Sequence, residues 1–472
     1  MGLPSTALVV VALTGMAIAQ PSLASSPEGP GEPQPDRPTQ AEALRLEQGS
    51  AQWWQGFEDA HLDALVEAGL SQNLDVRAAE LRVAESEAAI TQQRAPLLPR
   101  VSWDSTINLG PTASLGFQFG GLPSGGDPNA EPPPDVYWTG SSVLNVSLEL
   151  DLTGRRVLDL RASRDDRSAA RAEHASSQVT IASSITQAYY DLVAARARLR
   201  VVDEQIATVE ALVELTQQRL ADGGARATDL LQQRQQLAST QTLRPQAQAQ
   251  VRAFSQQLAV LLAESPDTQH ESADALPELL LAAGAEDAEL ALDRRPDMVA
   301  AEHRVRAAER REKVARREFA PSLSVSANAG IQAFAISEVS DQWYWGAGAS
   351  LSVPIFAGGQ RIGALRQREA QTASSRNEVA RVRLEAQRQV ADARAAQGER
   401  LAIVEASLAE LEVAEQTYLA LRERYFEGDA DVLNLLSALT SRQQAELNLI
   451  TARRDLITAH IDLQRALAPA TT

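Results

Sequence analysis

Hydrophobic and polar positions follow two different periods along this chain. Leu144, Val146, Leu148, Leu150 and Leu152 alternate with Asn145, Ser147, Glu149 and Asp151, which lays an apolar face opposite a polar one on a single β-strand. Val101, Trp103, Ile107 and Leu109 do the same against Ser102, Asp104, Thr106 and Asn108. Further on, Leu323, Val325, Ala327, Ala329 and Ile331 oppose Ser322, Ser324, Ser326 and Asn328, and Trp343, Trp345, Ala347, Ala349, Leu351 and Val353 oppose Tyr344, Gly346, Gly348, Ser350 and Ser352. Elsewhere the period lengthens. Leu199, Val202, Ile206, Val209, Val213, Thr216 and Leu220 step by three and four, as do Leu401, Val404, Leu408, Leu411, Glu415, Tyr418, Arg422 and Tyr425. Such stripes predict helices packed as coiled coils. No proline interrupts residues 161–220, and a 60-residue helix extends roughly 90 Å.

The two periods recur in the same order because the sequence is written twice. Asp75, Ala78-Ala79-Glu80, Arg82-Val83 and Pro99 reappear 222 positions later as Asp297, Ala300-Ala301-Glu302, Arg304-Val305 and Pro321. A second register, offset by 205, carries Arg219, Gly223 and Leu230-Leu231 onto Arg424, Gly428 and Leu435-Leu436. Each copy reads as a short helix, two strands, a very long helix, a glycine turn and a returning helix. The first repeat is placed at residues 51–280, with strands at about 101–119 and 136–152 and a helical hairpin at about 155–263. The second is placed at 281–468, with strands at about 321–336 and 343–356 and a hairpin at about 360–467.

The strand runs exceed the roughly 9 to 11 residues that cross a bilayer as a tilted strand. Small or acidic side chains on the polar face suit a wet lumen, and Trp343 and Trp345 suit an interfacial aromatic girdle. Four strands close no usable pore, and lipid tolerates no open sheet edge, so several chains must share one barrel. Four strands of a soluble sandwich are the alternative.

Composition narrows the function. The chain has 472 residues, a formal charge of −18 and no cysteine. Such acidity argues against a nucleic-acid partner and suits a cation-favouring channel. Without cysteine there is no disulfide, no thiolate metal site and no acylated N-terminal cysteine. Ala7–Ile18 is an apolar run and Ala17-Ile18-Ala19 supplies a small-x-small cleavage pattern before Gln20, so residues 1–19 read as a cleavable signal peptide and 20–50 as an extended Pro- and Ser-rich leader. No later stretch is apolar enough for a membrane-spanning helix. The chain carries no P-loop and no nucleophile elbow, and His61, His174, His270, His303 and His460 lack ligand spacing and read as surface or packing residues. No enzyme, cofactor or metal site is expected. The arginine-rich stretch from Arg304 to Arg317 is interleaved with Glu309 and Glu312, at helical spacing from Lys313 and Arg316, and reads as a solvated helix face.

Several motifs in this order resemble the TolC-like outer-membrane factors, specifically their efflux branch. They are Trp53-Trp54 with Phe57 and Leu62-Asp63-Ala64-Leu65; Arg294-Arg295-Pro296-Asp297-Met298; Phe319-Ala320-Pro321-Ser322-Leu323; and Val353-Pro354-Ile355-Phe356-Ala357-Gly358-Gly359. Leu150-Asp151-Leu152-Thr153-Gly154-Arg155 is similar to the first copy's junction between barrel and helices. The resemblance implies an α+β membrane protein. It would be a homotrimer whose twelve-stranded barrel sits in outer-membrane lipid and continues as a helical tunnel into the periplasm. It implies two further partners, a periplasmic adaptor and an inner-membrane pump of the RND type, and export of drugs or other small solutes. Type I protein secretion is the alternative within the family, and a non-transporting coiled-coil surface protein the alternative outside it.

The resemblance also implies roles for the hairpin tips. Asp222, Gly223 and Gly224 in the first copy, and Glu427, Gly428 and Asp429 in the second, would meet the adaptor. Leu433 matches the family's gating leucine. An acidic ring commonly lies nearby, but here Asn434 and Ser437 occupy its positions, which leaves Asp229 and Asp431 as candidate gate acids.

Overall fold

The computed structural model describes residues 52–111, 136–277, 288–333, 343–427 and 429–468. A 3₁₀ turn at Trp53–Phe57 leads into α1 (Ala60–Gln72) and α2 (Leu74–Arg94), and a second such turn at Ala95–Leu97 leads into the strands β1 (Arg100–Pro111) and β2 (Val136–Leu150). Then come α3 (Arg155–Ala221), α4 (Ala227–Gln241) and α5 (Leu243–Leu261). The second copy has α6 (Ala288–Arg294), α7 (Pro296–Arg317), β3 (Ser322–Ala333), β4 (Trp343–Ser352), α8 (Gln360–Glu427) and α9 (Val432–Leu467). The residues between β1 and β2, between β3 and β4, and before Gln52 lie outside the described ones, as do the corresponding parts of the expected strands.

The duplication is visible residue by residue. β1 and β3 begin at positions 222 apart, and α3 and α8 begin at positions 205 apart. The register therefore changes between the strands of each copy, and 222 less 205 leaves the first copy 17 residues longer there. Gly154 and Gly359, also 205 apart, each precede a long helix with positive φ, at 69° and 85°. A left-handed residue at this point turns the chain out of the sheet and into the helix, and glycine adopts it without a Cβ clash.

The four strands form one antiparallel meander in the order β1-β2-β3-β4. Its register aligns the apolar sides: Trp103 pairs with Leu144, Leu144 with Ala329 and Ala329 with Trp345. On the opposite face Ser102, Asn145, Asn328 and Gly346 share a row, and Asn145 donates to Asp104 at 2.9 Å. A one-residue slip would exchange the two faces, so this register is the one that keeps the sheet amphipathic. β1 and β4 are the open edges.

An aromatic core joins the first turn to α1, α3 and α9. Trp53, Trp54 and Phe57 lie against Ile185, Tyr189 and Tyr190 of α3 and Ile457 and Ile461 of α9. Asp59 caps α1 through His61 N–H at 2.9 Å and Leu62 N–H, and accepts a 2.7 Å bond from the Tyr189 hydroxyl, so the cap also fixes α1 to α3. His460 is half-buried edge-on to Phe57, with ring centroids 5.6 Å apart, and its partial desolvation holds its pKa below the usual imidazole range.

Three readings of the sequence change. The arginine-rich face of α7 is an interface with α3: Arg310 pairs with Asp165 at 2.6 Å, and Arg304 and Arg311 pair with Glu173 and Asp166. The Arg316–Glu312 pair forms at 2.7 Å, whereas Glu309 pairs across to Arg376 of α8 instead of with Lys313. In α8 the buried seam is Val404, Ser407, Tyr418 and Tyr425, while Leu408 and Arg422 face outward. The seam steps by three after each heptad position where the sequence reading stepped by four. Finally, the first copy's return limb is broken at Thr242, because Pro245 has no N–H to donate to Gln241 and its ring crowds that carbonyl.

Candidate functional site

The hairpin tips follow from local chemistry. α3 ends at Ala221 with Asp222 as its C-cap, and Gly223 takes φ 76°. Gly224 N–H then bonds Arg219 O at 2.8 Å and Gly223 N–H bonds Leu220 O at 3.1 Å, a Schellman closure of the orphan carbonyls. In the second copy the Asp429 N–H bonds Arg424 O at 2.9 Å, the same link 205 residues on. Gly428 itself lies outside the described residues. Asp222, Gly224, Glu427 and Asp429 are all exposed at these turns.

The candidate gate residues sit on the returning helices directly after the tips. Asp431 caps α9, accepting weakly from Leu433 N–H at 3.4 Å. Asp229 occupies the equivalent first turn of α4 and accepts from Arg226 N–H at 3.2 Å. Both carboxylates are thus bound to helix starts, where the macrodipole favours negative charge. On α9, Val432, Leu435, Leu436 and Leu439 turn inward, and Leu433, Asn434 and Ser437 turn outward. Leu433 is 50% exposed. Continuing along that face, Ser437, Thr440 and Gln444 line a groove with Gln232 and Gln236 of α4. The face therefore presents one leucine at its tip end and uncharged polar groups behind it.

What the sequence reading missed is the clamp under this face. Tyr425 stacks beneath Arg219, whose Cζ lies 4.9 Å from the ring centroid, and Arg219 also donates to Tyr425 O at 3.3 Å. Arg442 pairs with Glu415 and stands 5.6 Å from the centre of the Tyr418 ring. The Arg219–Tyr425 contact, with Val209 and Leu212 packed on Leu435 and Leu439, binds the two hairpins together next to the candidate gate residues, while Arg442 ties α9 to α8 within the second hairpin. The signal was present in the equivalence of Arg219 with Arg424, but which partner each arginine takes is settled only by packing. Burial pushes the neighbouring Glu446 carboxyl above its usual range.

Trp343 and Trp345 stand exposed on the apolar sheet face, joined there by Trp103, whose Nε1 donates to Ser142 Oγ at 2.7 Å. Among the described residues no helix is long and apolar enough to cross a membrane, and no cluster of acidic or imidazole side chains could hold a metal ion.

Comparison with known proteins identifies this arrangement. The family model described as outer membrane efflux protein matches residues 65–264 and 288–468, one segment in each copy. The pyoverdine export outer membrane protein OpmQ of Pseudomonas aeruginosa is 29% identical over 312 residues, a match spanning 66% of this chain and 64% of OpmQ, less than two thirds of that relative. The probable efflux pump outer membrane protein TtgC of Pseudomonas putida is 29% identical over 95% of this chain and 90% of its own length. Among solved structures, the outer-membrane channel OprN is 26% identical and superposes with a TM-score of 0.77, covering 93% of this chain and 98% of OprN. The CmeC outer membrane channel of Campylobacter jejuni, 20% identical, shares the fold with a TM-score of 0.78 over 89% of this chain and 88% of CmeC. Its four-stranded antiparallel sheet, long paired helices and duplicated family match place this chain in the outer membrane efflux protein family.

Proposed function

We propose that three copies of this chain close a twelve-stranded barrel in the outer membrane and continue it as a periplasmic helical tunnel, forming the exit duct of a tripartite efflux system for drugs or other small solutes. The observation that carries this reading is the meander with two open edges and an apolar outer face, because a membrane tolerates such a sheet only when further copies close it. Export is passive in this chain. An inner-membrane pump, of the RND type, supplies the energy, and a periplasmic adaptor meets the exposed tips at Asp222–Gly224 and Glu427–Asp429. The names of OpmQ and TtgC, one an exporter of pyoverdine and the other part of an efflux pump, support solute efflux over protein secretion.

Deleting the gene and supplying it back on a plasmid tests this. The deletion strain is expected to accumulate fluorescent dyes and antibiotics and the plasmid to reverse it. Unchanged accumulation together with lost secretion of a protein would move the function to type I secretion.

A further inference from the structure

Ile355 and Phe356 are 94% and 89% exposed, the extremes among the large apolar residues described. They are not loose. Pro354 stands before them, Gly358 and Gly359 behind them take φ 57° and 85°, Gln360 N–H bonds Ala357 O at 3.0 Å, and Arg361 donates to Glu318 O at 2.7 Å. The backbone thus holds two bulky apolar side chains out where none of the described residues of their own chain covers them. At the same end of the sheet, on the opposite open edge, Leu98 is 55% exposed just before β1, and its N–H is tied to Ala95 O at 3.0 Å. Two preformed apolar patches therefore lie at the two unpaired edges, one following β4 and one preceding β1.

We propose that Ile355 and Phe356 form a prong that seats on the Leu97–Pro99 segment of the next copy, locking the base of the barrel. This rests on the trimeric reading above. In an antiparallel meander of four strands, β4 of one copy can continue the alternation only by pairing with β1 of the next. That pairing sets the end of β4 beside the start of β1, and so the prong beside Leu98. A patch on one edge that fits a different patch on the other makes a heterologous contact, which closes into a ring by rotation. Lipid would cover the same side chains but would leave the backbone edge that carries them unpaired.

The chain has no cysteine, so a disulfide test has no background. Phe356→Cys combined with Leu98→Cys, oxidised in membranes, is expected to give covalent dimers and trimers on denaturing gels, and each single variant none. Phe356→Ser is expected to lower the temperature at which the detergent-extracted trimer dissociates, with Phe356→Leu restoring most of the loss. If light scattering finds a trimer yet the cysteine pair stays unlinked, or Phe356→Ser leaves dissociation unmoved, the prong is wrong and the trimer stands. If no trimer is found, both fall.

Discussion

Two glycines show how differently the same residue type is used. At Gly223 an added Cβ meets nothing within 4 Å, so only the φ of 76° demands glycine. At Gly69 the added Cβ would lie 2.2 Å from Ile185 Cδ1, so close packing of α1 on α3 demands it. Gly223→Ala is therefore expected to cost about 1–2 kcal/mol of left-handed strain confined to the tip. Gly69→Ala instead overpacks the aromatic core and is expected to cost roughly 1–3 kcal/mol, unless Ile185 changes rotamer. Hydrogen exchange separates them: faster exchange at residues 216–224 alone for the first, and across α1 and the middle of α3 for the second. The need for glycine at the first position was legible from the tip's place between two helices. The need at the second was not, since the packing partner lies more than a hundred residues away.

Among the elements, the returning helices are held by a device that both copies share. Asn73, ahead of α2, caps it through Asp75 N–H at 2.8 Å and donates to Leu261 O at 2.8 Å, near the end of α5. Arg295, ahead of α7, donates to Ala466 O at 2.9 Å, near the end of α9, while bracing Asp297 and Gln389. Asn73 and Arg295 are 222 apart and Leu261 and Ala466 are 205 apart, so the clasp predates the divergence of its side chains. Asn73→Ala removes a cap and a buried bond together and is expected to lower stability by about 1–3 kcal/mol, read as a fall in melting temperature. Asn73→Asp keeps the cap but cannot donate to Leu261, and is expected to recover only part; full recovery would mean that the clasp contributes nothing. The alternating strands, the long helices and the two offsets were legible because each is a local period repeated many times. The seam of α8 was not, because positions three and four apart are both apolar in places, and only the neighbouring helices decide which is buried. The ion pairs between α7 and α3 were hidden for a related reason. A charged stripe reads as solvated until an oppositely charged helix is laid against it.

For the whole molecule, the sequence pattern carried the architecture further than the site. Family membership, the four-stranded sheet and the helical hairpins all follow from patterns that span the chain. The proposed gate rests on where Leu433, Asn434 and Ser437 face when three chains assemble. In one chain they share an exposed face of α9, with Asp229 and Asp431 capping the adjacent helix starts. An apolar ring at the tunnel's end, rather than a ring of carboxylates, is the closure this arrangement favours, since a constriction lined by leucine excludes ions by dewetting. Single-channel recording of the purified protein in planar bilayers reads both the channel and its closure. Discrete, cation-preferring conductance steps are expected, small for the native chain and clearly larger for Leu433→Ala. Bilayers that stay silent with both proteins would contradict a channel, and steps unchanged by Leu433→Ala but enlarged by Asp229→Asn or Asp431→Asn would place its closure on charge.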